Sequence, residues 1–248
     1  MTITGSARVD ATAVLGRGVT LGAHVRIGPY AEIGAGTRVG DGAWIGPGAR
    51  LGDGVTIAPG LRVGVDAAVR DAAVVRDHVP ALAVVAGSPA RVVSYAHNSV
   101  ARLPGTAGPD GNTAPSPYLR LLPEVVEDRG ALVVLDRGPD LPFEPRRCLL
   151  IHGVPPGGHR GDHAHRSLHE VLVCVHGRCL VLLDDGRGRR EVVPLTRPGL
   201  AALVPPRTWT AQYDHSADAV LMVLSSAAFD PDEHVEDYGE FRNLVGAA

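Results

Sequence analysis

The chain has 248 residues, enough for two modest domains with a core each, and its 24 basic and 27 acidic side chains leave a formal net charge of −3. That balance provides no basic field for a polyanion, which excludes nucleic acid as an expected partner. Aromatic side chains are only 4% of the chain while glycine and proline are plentiful, a composition that points away from helix bundles and toward a turn-rich β protein.

At the N-terminus, Met1 to Val9 lack a charged segment followed by an apolar run. No stretch approaches the roughly 18 apolar residues of a membrane span. A soluble, cytoplasmic protein with no membrane partner is expected.

From Val9 onward every sixth residue is aliphatic: Leu15, Leu21, Ile27, Ile33, Val39, Ile45, Leu51, Ile57, Val63, Val69 and Val75. Glycine follows most of them, and small residues such as Val25, Ala31, Ala43 and Val55 recur four positions on. A period of six cannot follow the 3.6-residue turn of an α-helix. One large and one small inward side chain per hexapeptide, with a turn between, predicts a parallel β-helix of about four triangular coils. This segment, with its closing stretch Val79 to Arg91, resembles the hexapeptide-repeat acyltransferases. The resemblance implies a left-handed β-helix over residues 1–95 and trimers formed through it. Members of that family interrupt the repeat with a loop, whereas here the period is unbroken, and His24 and His78 read as solvated turn residues. Assembly is therefore the expected role of this half, with N-acyl transfer as an alternative.

Residues 96–117 read as a linker, since Leu103 to Pro117 contains four prolines and almost no large apolar side chain. Residues 118–248 form a second domain. Short β-rich runs at 119–126, 131–135, 147–152, 171–176, 179–183, 191–195, 200–204 and 220–225, separated by turn signals, predict a double-sheet jelly roll. Cys148, Cys174 and Cys179 fall inside these runs and are expected as buried thiols. Asp230 before Pro231, with Glu233 closing a capping pattern, predicts one C-terminal helix carrying Val235, Tyr238, Phe241 and Leu244. The fold class expected is thus all-β: a left-handed parallel β-helix, then a jelly-roll barrel with a short C-terminal helix, the barrel being cupin-type by resemblance through the motif of Gly157 to Gly177.

The most informative segment runs from Gly157 to Gly177 and contains His163, His165 and Glu170 at the spacing of the first cupin motif. Residues two apart on a strand share a face, so His163 and His165 project together into the barrel while Ala164 points out. Paired imidazoles can act as acid/base groups or as metal ligands. The second cupin motif begins at Gly199 and Pro205, but Arg207, Thr210 and Asp214 replace its glycine, histidine and asparagine. A four-ligand metal site is incomplete, and any bound metal would rest on His163, His165 and Glu170.

The stretch from about Tyr118 to Val245 resembles the sugar-nucleotide 3,4-ketoisomerases. The matching residues include Glu127-Asp128-Arg129-Gly130, Pro142-Phe143, Arg147, Arg160-Gly161 ahead of His163-Ala164-His165, Leu183-Asp184-Asp185-Gly186, Trp209, and Tyr238 with Phe241. The resemblance implies a cofactor-free isomerase that moves the carbonyl of dTDP-4-keto-6-deoxyglucose from C4 to C3, with His163 and His165 sharing the proton transfers. It assigns substrate binding to Arg160, Arg147, Arg129 and Trp209. It also implies a dimeric barrel, so that three-fold contacts at one end and two-fold contacts at the other would close a hexamer. Leu149 and Leu150 stand where the family carries tyrosines, and Thr210 where it usually has a histidine. A metal-dependent cupin and a nucleotide-sugar-binding protein without turnover remain as alternatives.

Overall fold

The computed structural model describes residues 2–3, 5–102 and 115–246, which divide into two compact units between Ala96 and His97. In the first unit, two-residue strands recur every six residues from Arg8–Val9 to Val74–Val75. They stack into parallel sheets whose partners lie one coil apart: Arg8 on Arg26, Val14 on Glu32, Thr20 on Arg38. Each coil is therefore three hexapeptides. The aliphatic residue of each strand points inward, as with Leu21, Ile45 and Val63, and Val25, Ala31, Ala43 and Val55 fill the remaining interior with no exposed surface.

Glycine after the aliphatic residue has a steric reason. A Cβ added at Gly34 would lie 2.4 Å from the backbone carbon of Gly52 on the next coil. The turns are tied vertically by carboxylates: Asp41, Asp53 and Asp71 accept the backbone N–H of Ala23, Ala35 and Asp53. His24 and His78 also belong to this framework, with His24 Nδ1 2.9 Å from Ser6 Oγ and His78 Nδ1 accepting the Arg62 N–H at 3.0 Å. Ala83–Gly87 continues the parallel stack, and Ala90–Tyr95 then folds back antiparallel on it, ending in the buried Tyr95.

The second unit has the two packed sheets of a cupin-like barrel. Among the described residues, one sheet is ordered Ser99–Val100, Arg190–Leu195, Cys179–Asp184, Trp209–Tyr213, Arg160–His165 and His234–Val235. The other is ordered Leu119–Leu121, Leu200–Val204, Glu170–His176, Val220–Ser225 and Arg147–His152. Leu172, Val204 and Leu221 from the second sheet share one core with Val181, Leu183 and Val193 from the first. Val171, Val173 and Leu203 point the opposite way and pack under Leu122 and Leu141. Glu170–His176 is thus covered on both faces along most of its length, which explains its run of apolar residues without alternation. Ser99–Val100, within the stretch read as linker, is a strand of this unit, while residues 103–114 of that stretch lie outside the described residues.

Two expectations need correction. Cys148 is exposed, because Arg147–His152 is an edge strand whose alternate residues face outward; Cys174 and Cys179 are buried as expected. The C-terminal helix starts later than its capping pattern suggests. Asp230 does cap, but the turn it closes is a 3-10 turn over Pro231–Glu233 that stops at once. His234–Val235 then pairs as a strand, and the α-helix spans Tyr238–Gly246, opened by Asp237, whose side chain accepts the Glu240 N–H at 2.9 Å. No helix among the described residues is long and apolar enough to cross a membrane.

Candidate active site

The strand Arg160–His165 carries a bulge that decides what faces the interior. Its partners across the antiparallel ladder are Gln212 for Arg160, Ala211 for Gly161 and Thr210 for His163, so Asp162 is the extra residue. Gly161 and Asp162 both lie in the left-handed region, with φ of 81° and 57°. Without the bulge, Arg160 would point away from His163 and His165; with it, all three line the same cavity. Gly161 is required there, since a Cβ would come within 2.9 Å of the Thr210 carbonyl oxygen.

That cavity has a volume of about 480 Å³ and opens between the two sheets. His163 Nε2 and His165 Nε2 are 3.3 Å apart inside it. Glu170 Oε1 lies 3.6 Å from His165 Nε2 and accepts the Ser225 hydroxyl at 2.9 Å. Burial acts first on His163 and, together with the adjacent His165, holds it below its ordinary value of 6.5, so it is neutral at pH 7. Burial would raise the Glu170 carboxyl, but the nearby His165 ring and the hydrogen bond from Ser225 outweigh that and keep it low, hence ionised. The cluster is a carboxylate, a contacting imidazole and a second, neutral imidazole within proton-transfer distance, a constellation suited to acid/base work.

The other expected site residues divide. Arg147 and Arg160 line the cavity, and the Arg147 guanidinium sits 5.1 Å over the Phe229 ring. Arg129 instead lies in the exposed hairpin of Glu124–Glu127 and Gly130–Val133, paired to Glu127 at 2.5 Å. Trp209 is buried and packs edge-on to Tyr238, 5.1 Å between ring centroids, within the support of the C-terminal helix; it is not a cavity residue. Leu149 and Leu150, the departures noted in the sequence, both line the cavity and make that part of its wall apolar. Thr210 is buried opposite His163.

His234 is the residue that sequence reasoning missed. It pairs directly with His165 across the strand ladder, and its ring lies 4.6 Å from that of His165 and 5.0 Å from that of His163. Asp230 and Phe229, from the turn before it, also line the cavity.

The barrel half of the chain is similar to known proteins. The TDP-4-oxo-6-deoxy-alpha-D-glucose-3,4-oxoisomerase of Aneurinibacillus thermoaerophilus is 34% identical over 122 residues, covering 49% of this chain and 87% of that protein. A variant of the QdtA 3,4-ketoisomerase from Thermoanaerobacterium thermosaccharolyticum, solved in complex with TDP, aligns with a TM-score of 0.50 at 26% identity, over 52% of this chain and 93% of that one. A 3,4-ketoisomerase from Helicobacter canadensis aligns with a TM-score of 0.49 at 31% identity, over 52% and 96% of the two chains. Residues 117–246, more than half of the chain, match the family model described as FdtA, WxcM-like, C-terminal. Through its barrel, this chain belongs to the FdtA family of WxcM-like C-terminal domains.

Proposed function

We propose that the barrel is a 3,4-ketoisomerase acting on a dTDP-4-keto-6-deoxyhexose, with His163 and His165 as its acid/base groups. The observation that carries this reading is the pair of Nε2 atoms 3.3 Å apart in a cavity that also holds Arg147 and Arg160. The reaction moves two protons with no net change in oxidation state. A base removes the C3 proton and an enediol forms as O4 gains a proton; O3 then loses its proton as the C3 carbonyl forms, and C4 is protonated. One imidazole reaches both adjacent carbons, and the second passes the oxygen-bound proton along. Glu170 steadies the imidazolium that forms on His165. A guanidinium fork matches a diphosphate, which gives Arg160 and Arg147 the nucleotide end of the substrate. The Aneurinibacillus relative, named for the same conversion, supports the choice of substrate.

The β-helix is assigned to assembly rather than acyl transfer. Its repeat has no interrupting loop, and His24 and His78 are engaged in turn hydrogen bonds. Incubation with dTDP-4-keto-6-deoxyglucose, followed by proton NMR, tests the main reading. Appearance of the 3-keto isomer is the expected result. Unchanged substrate would favour a binding protein instead.

A further inference from the structure

The three histidines of the cavity meet because of strand pairing. His163 and His165 share a face of one strand, and His234 sits directly opposite His165 on the next. One ligand nitrogen from each lies within 4.8 Å of the others. Two nitrogens bound at about 2.0–2.1 Å to one tetrahedral zinc ion are about 3.4 Å apart, and His163 Nε2 and His165 Nε2 already stand at 3.3 Å. Glu170 Oε1, 3.6 Å from His165 Nε2, offers an oxygen donor at a similar separation.

A second observation concerns His234 itself. Its Nδ1 lies 3.2 Å from the Asp230 carbonyl oxygen, which can only accept. That contact places the proton on Nδ1 and leaves Nε2 with a free lone pair, the arrangement by which an outer carbonyl orients a metal-ligating imidazole. His163 presents its own Nε2 to His165 at 3.3 Å.

We infer that His163, His165 and His234, with Glu170 as the oxygen donor, form a binding site for a first-row divalent cation such as zinc, and that its occupancy silences the isomerase. Imidazole-rich sites of this kind suit zinc and its neighbours. Metal and proton transfer compete, because a coordinated Nε2 has no lone pair left to take a proton. The silencing rests on the function proposed above; the binding site does not.

The test is a zinc titration of untagged, full-length protein freed of metal with a chelator, read by competition with a chromophoric indicator. One tightly held zinc per chain is expected. Loss of a single outer carbonyl or carboxylate commonly weakens metal binding by about 10–100-fold, so His234→Gln, which removes a ligand, should weaken it at least that much. His163→Gln, on an interior strand, is the independent second variant, and thermal melts of both confirm folding. No zinc uptake by the wild type, or wild-type affinity in both variants, overturns the site. With dTDP-4-keto-6-deoxyglucose as substrate, zinc should abolish turnover and chelator restore it; turnover unaffected by bound zinc overturns the silencing. A protein that binds zinc but is inactive even when metal-free contradicts the isomerase and leaves the cation site standing.

Discussion

His165 and His234 face each other as direct partners on adjacent antiparallel strands, with ring centroids 4.6 Å apart. The relationship joins two parts of the chain nearly seventy residues apart, and it makes the strand His234–Val235 a wall of the candidate active site rather than part of a terminal helix.

Replacing either motif histidine should separate chemistry from folding. His163→Ala and His165→Ala are each expected to lower turnover by about a hundredfold or more, the weight of a general acid/base group. Circular dichroism melts should show the barrel still folded. Wild-type turnover in both variants would remove the acid/base assignment.

The pH profile should reflect burial of His163. A base must be unprotonated to act, and a lowered pKa keeps it so to more acidic pH. The acid limb of kcat/KM, measured with chelator present, is therefore expected below the ordinary histidine value of 6.5. Burial is the main cause, with His165 and His234 adding to it and Glu170 opposing. An acid limb above 6.5 would show that another group sets the profile.

Tyr238 anchors the end of the chain to the barrel. Its hydroxyl donates to the buried Asp184 carboxylate at 2.5 Å, and Arg190 Nε reaches the same oxygen at 3.2 Å. Tyr238→Phe leaves that carboxylate short of a donor, at a cost of about 1–3 kcal/mol, measured by denaturant titration. Because the helix begins only four residues after His234, zinc affinity should fall as well. Unchanged stability would show that Arg190 and the Gly186 N–H satisfy Asp184 without the tyrosine hydroxyl.

Assembly is the prediction that joins the two units. If, as the resemblance implies, the β-helix supplies a three-fold contact and the barrel a two-fold one, the two would close a complex of about six chains, which light scattering on the full-length protein would report. A monomer would contradict the division of symmetry between the two halves.

Much of this was legible in the sequence, for identifiable reasons. The β-helix announces itself because each coil reuses the same two inward positions, so the period of six survives from Val9 to Val75. His163, His165 and Glu170 could be placed because their spacing is local to one strand and the start of the next. His234 could not, because Asp230, Pro231 and Glu233 form a real cap, and only tertiary pairing with Ala164 and His165 turns the following residues into a strand. Trp209–Tyr213 is buried at every position between two neighbouring strands, so no alternation marks it. The bulge at Asp162, which brings Arg160 to the same face as the histidines, depends on register with Thr210 and Gln212 and leaves no mark beyond Gly161.

The most direct test of the central claim follows the protons themselves. Wild-type protein and the His163→Ala/His165→Ala double variant are each incubated with dTDP-4-keto-6-deoxyglucose in deuterium oxide and followed by proton NMR. The wild type is expected to form the 3-keto isomer with solvent deuterium at the reacting carbon, since histidine N–H groups exchange with water. The double variant should leave the substrate unchanged and its C3 proton in place. Isomer formation at the wild-type rate by the double variant, or an unchanged substrate with the wild type, would contradict histidine-catalysed ketoisomerisation in this barrel.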